Sequence, residues 1–468
     1  MGALYNVGEQ KVRPGVYRRY ENVGSDETPG AIYGVFAIAV HADIGPLDKV
    51  LSFGTEDVED VTKTYGKGGT VDAVQALFDG GATNVFVYRL GSGGTKASIT
   101  LKDSSTTELV TLTTKTETDQ EFSVTIKSKL GSEGVKQLLV YTGTNLLETI
   151  EYDTDTADSD ALVAAVNKTS GYLDAAKVAD GLVADVSNSK LTGGAAPTVN
   201  TASYSAAFTA FEPYKWNYLV LDTVDTDVHA LVSAYMNRIF KEGALGVCIL
   251  GEPTSVDFAT RISHAAAFNN EKVIYLGSGY EDGDGNKVDG YMSIATQAGI
   301  IGSLGSNESA THTVIPGAVN TLEVLKNSQY EDAIKSGMLL LSPNDEGQVW
   351  FDAAINTLVT PGKDQDEGWK KIRRTSTRFE MFDRIDRNLA PLIGKVDCDD
   401  IGVGDCIMRG QDVLDAMIKE SKLMDGATFS EDTTKTRGSD YAYFVIAADD
   451  KDSLEKIYLT YQFRFTAE

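Results

Sequence analysis

The residues of this chain whose types and spacing could do chemistry are a glycine-rich turn, an acidic turn, four histidines and three cysteines. The turn Tyr65-Gly66-Lys67-Gly68-Gly69-Thr70 would cradle phosphate if it completed a P-loop, whose backbone N–H groups and lysine hold the β- and γ-phosphates. That pattern needs glycine at 61 and Ser or Thr at 68, where Val61 and Gly68 stand. The turn is therefore read as the opening of a helix at Val71. Gly277-Ser278-Gly279 begins like a dinucleotide fingerprint, but Asp282 occupies the place of the third glycine. Asp282, Asp284 and Asn286 have calcium-loop spacing, with Lys287 in place of the glycine and Ser293 in place of the bidentate glutamate. A polar hairpin turn fits better. His41, His229, His264 and His312 show no metal-ligand spacing, and no G-x-S-x-G elbow exists. Cys248, Cys398 and Cys406 form neither a disulfide framework nor a zinc knuckle. No catalytic, cofactor-binding or metal-ligating residue is assigned, and the chain is read as a non-enzyme.

Charge narrows the classes further. The chain carries 68 acidic and 42 basic residues, a formal net charge of -26. Such a surface is repelled by phosphate backbones, which argues against nucleic-acid binding. Copies of it repel one another too, so assembly should depend on salt. One basic run interrupts the pattern: Lys370, Lys371, Arg373, Arg374 and Arg378, continued by Arg384 and Arg387. It reads either as a solvated helix face or as a contact surface for an acidic partner, a second copy included. No apolar stretch approaches the roughly 18 residues of a membrane span. The start shows no positive region followed by an apolar one, so no secretory signal is expected and the thiols are read as reduced, in a protein made in the cytoplasm.

With chemistry set aside, the two ends carry the most information. Ile457, Leu459, Tyr461, Phe463 and Phe465 alternate with Tyr458, Thr460, Gln462, Arg464 and Thr466. Period-2 alternation of this kind predicts a strand. A strand at a chain terminus either pairs within its own domain or adds to another molecule's sheet. At the other end, Val12, Val16 and Tyr17 flank a Pro-Gly and read as an extended arm.

Between the ends, the predicted architecture is multidomain, α/β and α+β. Strands at 34–42 and 84–90 flank a helix at 71–81 that ends in glycines. Strands at 214–223, 245–250 and 272–277 alternate with helices at 228–240 and 256–268. This β-α-β-α-β run predicts a parallel sheet with right-handed crossovers, and Asp227 is the expected cap of its first helix. Residues 92–200 differ in composition, with no Trp, Cys, Met, His or Arg. Four short strands and a helix at 158–168 make this stretch an inserted, mostly-β accessory domain, with flexible glycine-rich joints at 91–95 and 192–198. Strands at 348–360, helices at 369–389 and 407–424, and strands at 439–449 and 455–468 make a C-terminal α+β domain. The expected division is an N-terminal arm 1–20, a central domain 21–91 with 201–344, the insert 92–200, and a C-terminal domain 345–468 whose arm is 457–468.

The segments KVRPGVY, GGTVDAVQALFDGGATNVFVYRL, KKIRRTSTR and DSLEKIYLTYQFRF, in this order, resemble contractile tail-sheath proteins of bacteriophages and of phage-derived particles such as tail-like bacteriocins. The resemblance covers most of the chain outside 92–200, where such proteins carry variable inserted domains. It implies a structural subunit that polymerises as hexameric rings around an inner tail tube. Contraction then drives the tube through a target envelope. It also implies arms that join neighbours' sheets, an extended state that is kinetically trapped, and baseplate and terminator proteins as further partners. The tube contact would fall at the basic run or at 408–424. Two other classes remain: an α/β nucleotide-binding enzyme at the β-α-β-α-β run, and a surface-layer-like protein suggested by the Thr-rich insert.

Overall fold

The structure, a computed structural model, describes residues 3–4, 17–18, 33–154 and 158–464. Val12, Val16 and Phe465 lie outside the described residues. The chain divides into a larger unit, 32–380 with 420–424 and 449–468, and a smaller one, 1–31 with 381–419 and 425–448. In the smaller unit's N-terminal part, β1 (Ala3–Leu4) pairs in parallel with β2 (Tyr17–Arg18).

The larger unit is built on a seven-stranded sheet. Its first strand, β3 (Val35–Val40), reads VFAIAV and is buried at every position, as expected of a parallel strand covered on both faces. The edge strand β4 (Val50–Gly54), helices α1 (Val58–Tyr65) and α2 (Asp72–Gly80), and β5 (Asn84–Arg89) follow. Gly81 closes α2 in the left-handed conformation at φ 113°, the C-terminal glycine cap anticipated above.

After β5 the chain enters the insert. Strands β6 (Ser98–Lys102), β7 (Glu108–Thr114), β8 (Phe122–Ser128), β9 (Val135–Thr142) and β10 (Asn145–Asp153) precede α3 (Asp158–Thr169), β11 (Leu173–Lys177) and β12 (Val186–Lys190). They form two antiparallel sheets, ordered β10-β9-β8-β12 and β11-β7-β6. Val124, Leu138 and Val140 pack with Leu112, Leu162 and Val166 in a common core. Four strands and the helix are those expected; β10, β11 and β12 are additional. The joints are not loose. Ser92 pairs with Thr198, Thr95 with Ala195 and Ser98 with Thr192, each through reciprocal backbone bonds of 2.8–3.0 Å. Glycine-rich composition reads as flexibility only while no partner strand is in view.

The sheet resumes after α4 (Thr201–Phe211). Strand β13 (Tyr218–Leu221), α5 (Thr226–Lys241), β14 (Val247–Gly251), α6 (Phe258–Phe268) and β15 (Val273–Leu276) form the expected alternating run. Asp225 caps α5, not Asp227: its carboxylate accepts from the Asp227 N–H at 2.9 Å, because the helix begins at Thr226. The turn 281–287 is a hairpin between β16 (Tyr280–Asp282) and β17 (Lys287–Val288), with Asp282 accepting from the N–H groups of Asp284 and Asn286.

Helix α7 (Gly290–Ser303), β18 (Ala318–Thr321), α8 (Asn327–Lys335), β19 (Met338–Leu339), and the hairpin β20 (Leu341–Pro343) with β21 (Val349–Phe351) complete this region. The strand order is β19-β15-β14-β13-β3-β5-β4, parallel except at β4. On one face α2 and α7 cross so closely that a Cβ on Gly80 would lie 2.7 Å from the Gly299 Cα.

Helix α9 (Ile372–Leu389) matches the predicted helix and runs from the larger unit into the smaller. One division between the two units falls within α9. In the smaller unit, α10 (Asp400–Lys419) starts earlier than expected, because Asp399 accepts from the N–H groups of Ile401 and Gly402. Gly402 and Gly404 obscured that first turn, since glycine is a poor helix former. Against α10 lies the hairpin of β22 (Thr428–Glu431) and β23 (Phe444–Ala447), with Gln411 bonding Phe429 N and Ala427 O. The expected strand at 455–468 is absent from its described part: residues 451–464 have no regular structure. No helix among the described residues is long and apolar enough to cross a membrane.

Candidate assembly arm and its anchor

The C-terminal segment changes character within a few residues. Its first part is tied down inside the larger unit. Lys451 N donates to Lys422 O at 2.9 Å, and Met424 N to Asp449 O at 2.8 Å. Asp450, 6% exposed, is the centre of an ion cluster. Arg374 donates to it from Nε at 2.6 Å and from Nη2 at 2.9 Å. Arg378 reaches Asp450 at 2.9 Å and holds Asp366 through a bidentate pair, both bonds 2.9 Å. Lys371 bridges Asp452 at 2.7 Å and Glu455 at 2.8 Å, and Arg373 donates to the Ser453 hydroxyl at 2.5 Å. The Arg378 guanidinium also lies 4.6 Å from the Trp369 ring centroid. Burial alone would raise the Asp450 carboxyl; the hydrogen bonds from Arg374 and Arg378 override it and hold the group below the usual carboxylate range.

Beyond Glu455 the anchoring stops. Among the described residues, 456–464 make no backbone hydrogen bond to the rest of the chain. Ile457 and Leu459 are each 70% exposed, Tyr461 75% and Phe463 83%. Four large apolar side chains in alternating positions thus stand in water, where burying each would be worth roughly 1.5–3 kcal/mol. Alternation of this kind suits pairing along a sheet edge, although the segment has no regular structure here.

The basic run is paired within its own chain. Lys370 pairs with Glu367 at 2.7 Å. Lys371, Arg373, Arg374 and Arg378 hold the root of the arm as described. These five side chains are therefore not a vacant cationic face; their partners come from 366–367 and 450–455. Sequence alone hides these partners, because acidic residues occur throughout the chain and only folding brings 450–455 beside α9. Of the N-terminal residues, Tyr17 lies in β2 opposite Ala3.

The turn 65–70 opens on a short stretch before α2, with Gly69 so close to His41 that a Cβ would meet its carbonyl at 2.2 Å. His41 Nδ1 lies 2.9 Å from Asp222, which also accepts from Tyr204 at 2.8 Å and from Thr70. That hydrogen bond, working against partial burial, raises the His41 pKa. Thr70 and Tyr204 both spend their hydroxyls on Asp222, so the group reads as a tie between strand ends. No cluster of three or more metal-ligating side chains occurs among the described residues.

Comparison with known proteins adds sequence and fold likeness. Residues 198–357 match the family model for the phage tail sheath protein central domain. No curated protein matches the sequence. Among solved structures, the sheath tail protein from Desulfitobacterium hafniense is 17% identical, with a TM-score of 0.72 over 93% of this chain and 100% of that one. The sheath tail protein Lin1278 from Listeria innocua is 16% identical, with a TM-score of 0.68 over 90% and 96%. The contracted helical sheath of the anti-feeding prophage is 11% identical, with a TM-score of 0.54 over 97% and 99%.

Proposed function

We propose that this chain is the structural subunit of a contractile tail sheath, polymerising around an inner tube and contracting to drive that tube through a target envelope. The match of its central segment to the sheath family carries the reading, because it is a likeness of sequence and not of fold alone. Solved proteins that share the fold include a sheath in its contracted state. The role is structural rather than catalytic, in keeping with the absence of any intact catalytic pattern in the sequence.

In this reading the arms are the links between copies. Ile457, Leu459, Tyr461, Phe463 and Phe465 enter a neighbour's sheet, and Val12, Val16 and Tyr17 contribute from the other end. Each added strand bond is worth only about 1 kcal/mol net, but burying the alternating side chains and repeating the link in every subunit makes the lattice stable. Hexameric rings, an inner tube protein, and baseplate and terminator proteins complete the particle, a virion tail or phage-like device made in a bacterial cytoplasm. The division into N-terminal arm, central domain, inserted domain at 92–200 and C-terminal region belongs to the same proposal.

The test is electron microscopy of the concentrated protein beside a variant lacking 457–468. Tubes or rings from the full chain, and soluble subunits from the truncation, are the expected result. Normal tubes from the truncated chain would sink the arm-exchange reading.

A further inference from the structure

We infer that the cationic run from Lys371 into α9 is an internal clamp that fixes the root of the C-terminal arm, so that the arm pivots at Lys456. This rests on the sheath reading for its consequence in assembly, and the experiment below separates the two.

The argument begins with where the bonds stop. Every described contact of the arm with its own chain involves residues at or before Glu455: Lys451 through its backbone, Asp450 through Arg374 and Arg378, Asp452 and Glu455 through Lys371, and Ser453 through Arg373. From Ile457 onward the side chains are exposed and the backbone is unpaired among the described residues. Clamp and free arm abut with no gradual transition.

Chemistry explains why the clamp is arginine-rich. A guanidinium holds a carboxylate in a planar fork and stays charged throughout the accessible pH range. Asp450 receives one such fork, from Arg374, and further bonds from Arg378 to a single oxygen; its side chain is nearly buried, so salt screens it less than it screens the surface pairs. Lys371, at the outer edge, takes the two more exposed carboxylates.

The clamp sets a length. Extended at roughly 3.3 Å per residue, 456–464 reaches about 30 Å from the pivot. A link of fixed root and fixed reach presents its apolar strand at one place relative to its own sheet. Releasing the root adds slack, and slack lowers the effective concentration of a tethered strand at its acceptor.

Two lysines report on this directly. Lys451 lies inside the clamp and Lys456 at its edge, so an endoproteinase that cuts after lysine should cleave free subunits at Lys456 and spare Lys451. In an Arg374→Gln/Arg378→Gln variant, cleavage after Lys451 should rise about tenfold while cleavage after Lys456 is unchanged. The concentration needed for tube formation should rise by a similar factor, as expected when a partly buried charge-assisted contact is lost. Lys371→Gln, at the periphery, provides a milder variant should the double one fail to fold. Equal cleavage at the two lysines in the unmodified chain, or no change in the variants, overturns the clamp. Faster cleavage with unaltered tube formation overturns its role in assembly. If the unmodified chain forms no tubes, the sheath reading falls, and the cleavage pattern still decides the clamp.

Discussion

At the scale of single residues, the buried charges matter most. Lys422 and Glu380 are 5% and 4% exposed and lie 2.7 Å apart. The Lys422 ammonium also donates to Tyr33 Oη at 2.7 Å, and Tyr33 in turn donates to Glu380 at 2.7 Å. Ser306 shares the same carboxylate. Replacing Lys422 by Met should cost about 3–5 kcal/mol in chemical unfolding, because it removes the ammonium that pairs with the buried Glu380 carboxylate and bonds Tyr33. Burial would lower the Lys422 pKa, but the hydrogen bonds to Glu380, Glu420 and Tyr33 raise it. Its contribution is therefore complete below the unfolded lysine value near 10.4 and is lost as pH climbs through the higher folded value. Thermal scans at rising alkaline pH should show the native chain losing this increment and Lys422→Met having none to lose. Nothing local in the sequence announced this group. Glu380 and Tyr33 are 42 and 389 positions away, and Lys422 itself read as part of a helix that in fact ends at Lys419.

At the scale of elements, periodicity was legible where one face or both are buried. The parallel strands and α5 follow their patterns closely, because burial imposes the alternation that sequence displays. The tail at 457–464 shows equally clean alternation and yet is no strand here. Alternation states what a segment can pair with, not whether the partner belongs to the same chain. The crossing of α2 and α7 was hidden for a different reason: Gly80 read only as a helix terminator, whereas Gly299 lies against it in α7. A Cβ on Gly299 would sit 2.5 Å from Leu77 O and 2.8 Å from the Gly80 Cα. Backbone atoms cannot yield as a flexible side chain can. Gly299→Ala should therefore push the helices apart and lower stability by roughly 1–3 kcal/mol, despite alanine's better helix propensity, as denaturant melts would register. An unchanged midpoint would show that the crossing is looser than its glycines imply.

At the scale of the whole molecule, charge and assembly meet. Copies of net charge -26 repel one another, so under the proposed sheath function raising salt from about 0.05 to 0.5 M should promote tube formation by screening. Sedimentation should show the polymerised fraction rising over that range; a fall would mean that attractive pairs between copies outweigh their repulsion. The larger unit's β-α-β-α-β run could be read in advance from alternation and spacing. The extra strand β12 of the insert could not, since it is short, polar and mostly exposed. Nor could the seating of the insert, in which a buried side chain takes part: Arg89 donates to the carbonyl oxygens of Ala42, Asp43 and Gly45 and, across to the insert, of Glu117. The paired joints have a wider consequence. Because Ser92 and Thr198 face each other as antiparallel neighbours, the chain enters and leaves the stretch between them at points only about 5 Å apart. To the rest of the fold, everything between them is equivalent to the tip of a hairpin. Cargo domains whose own termini lie side by side could be exchanged at this port, making it a natural socket for displaying foreign sequence.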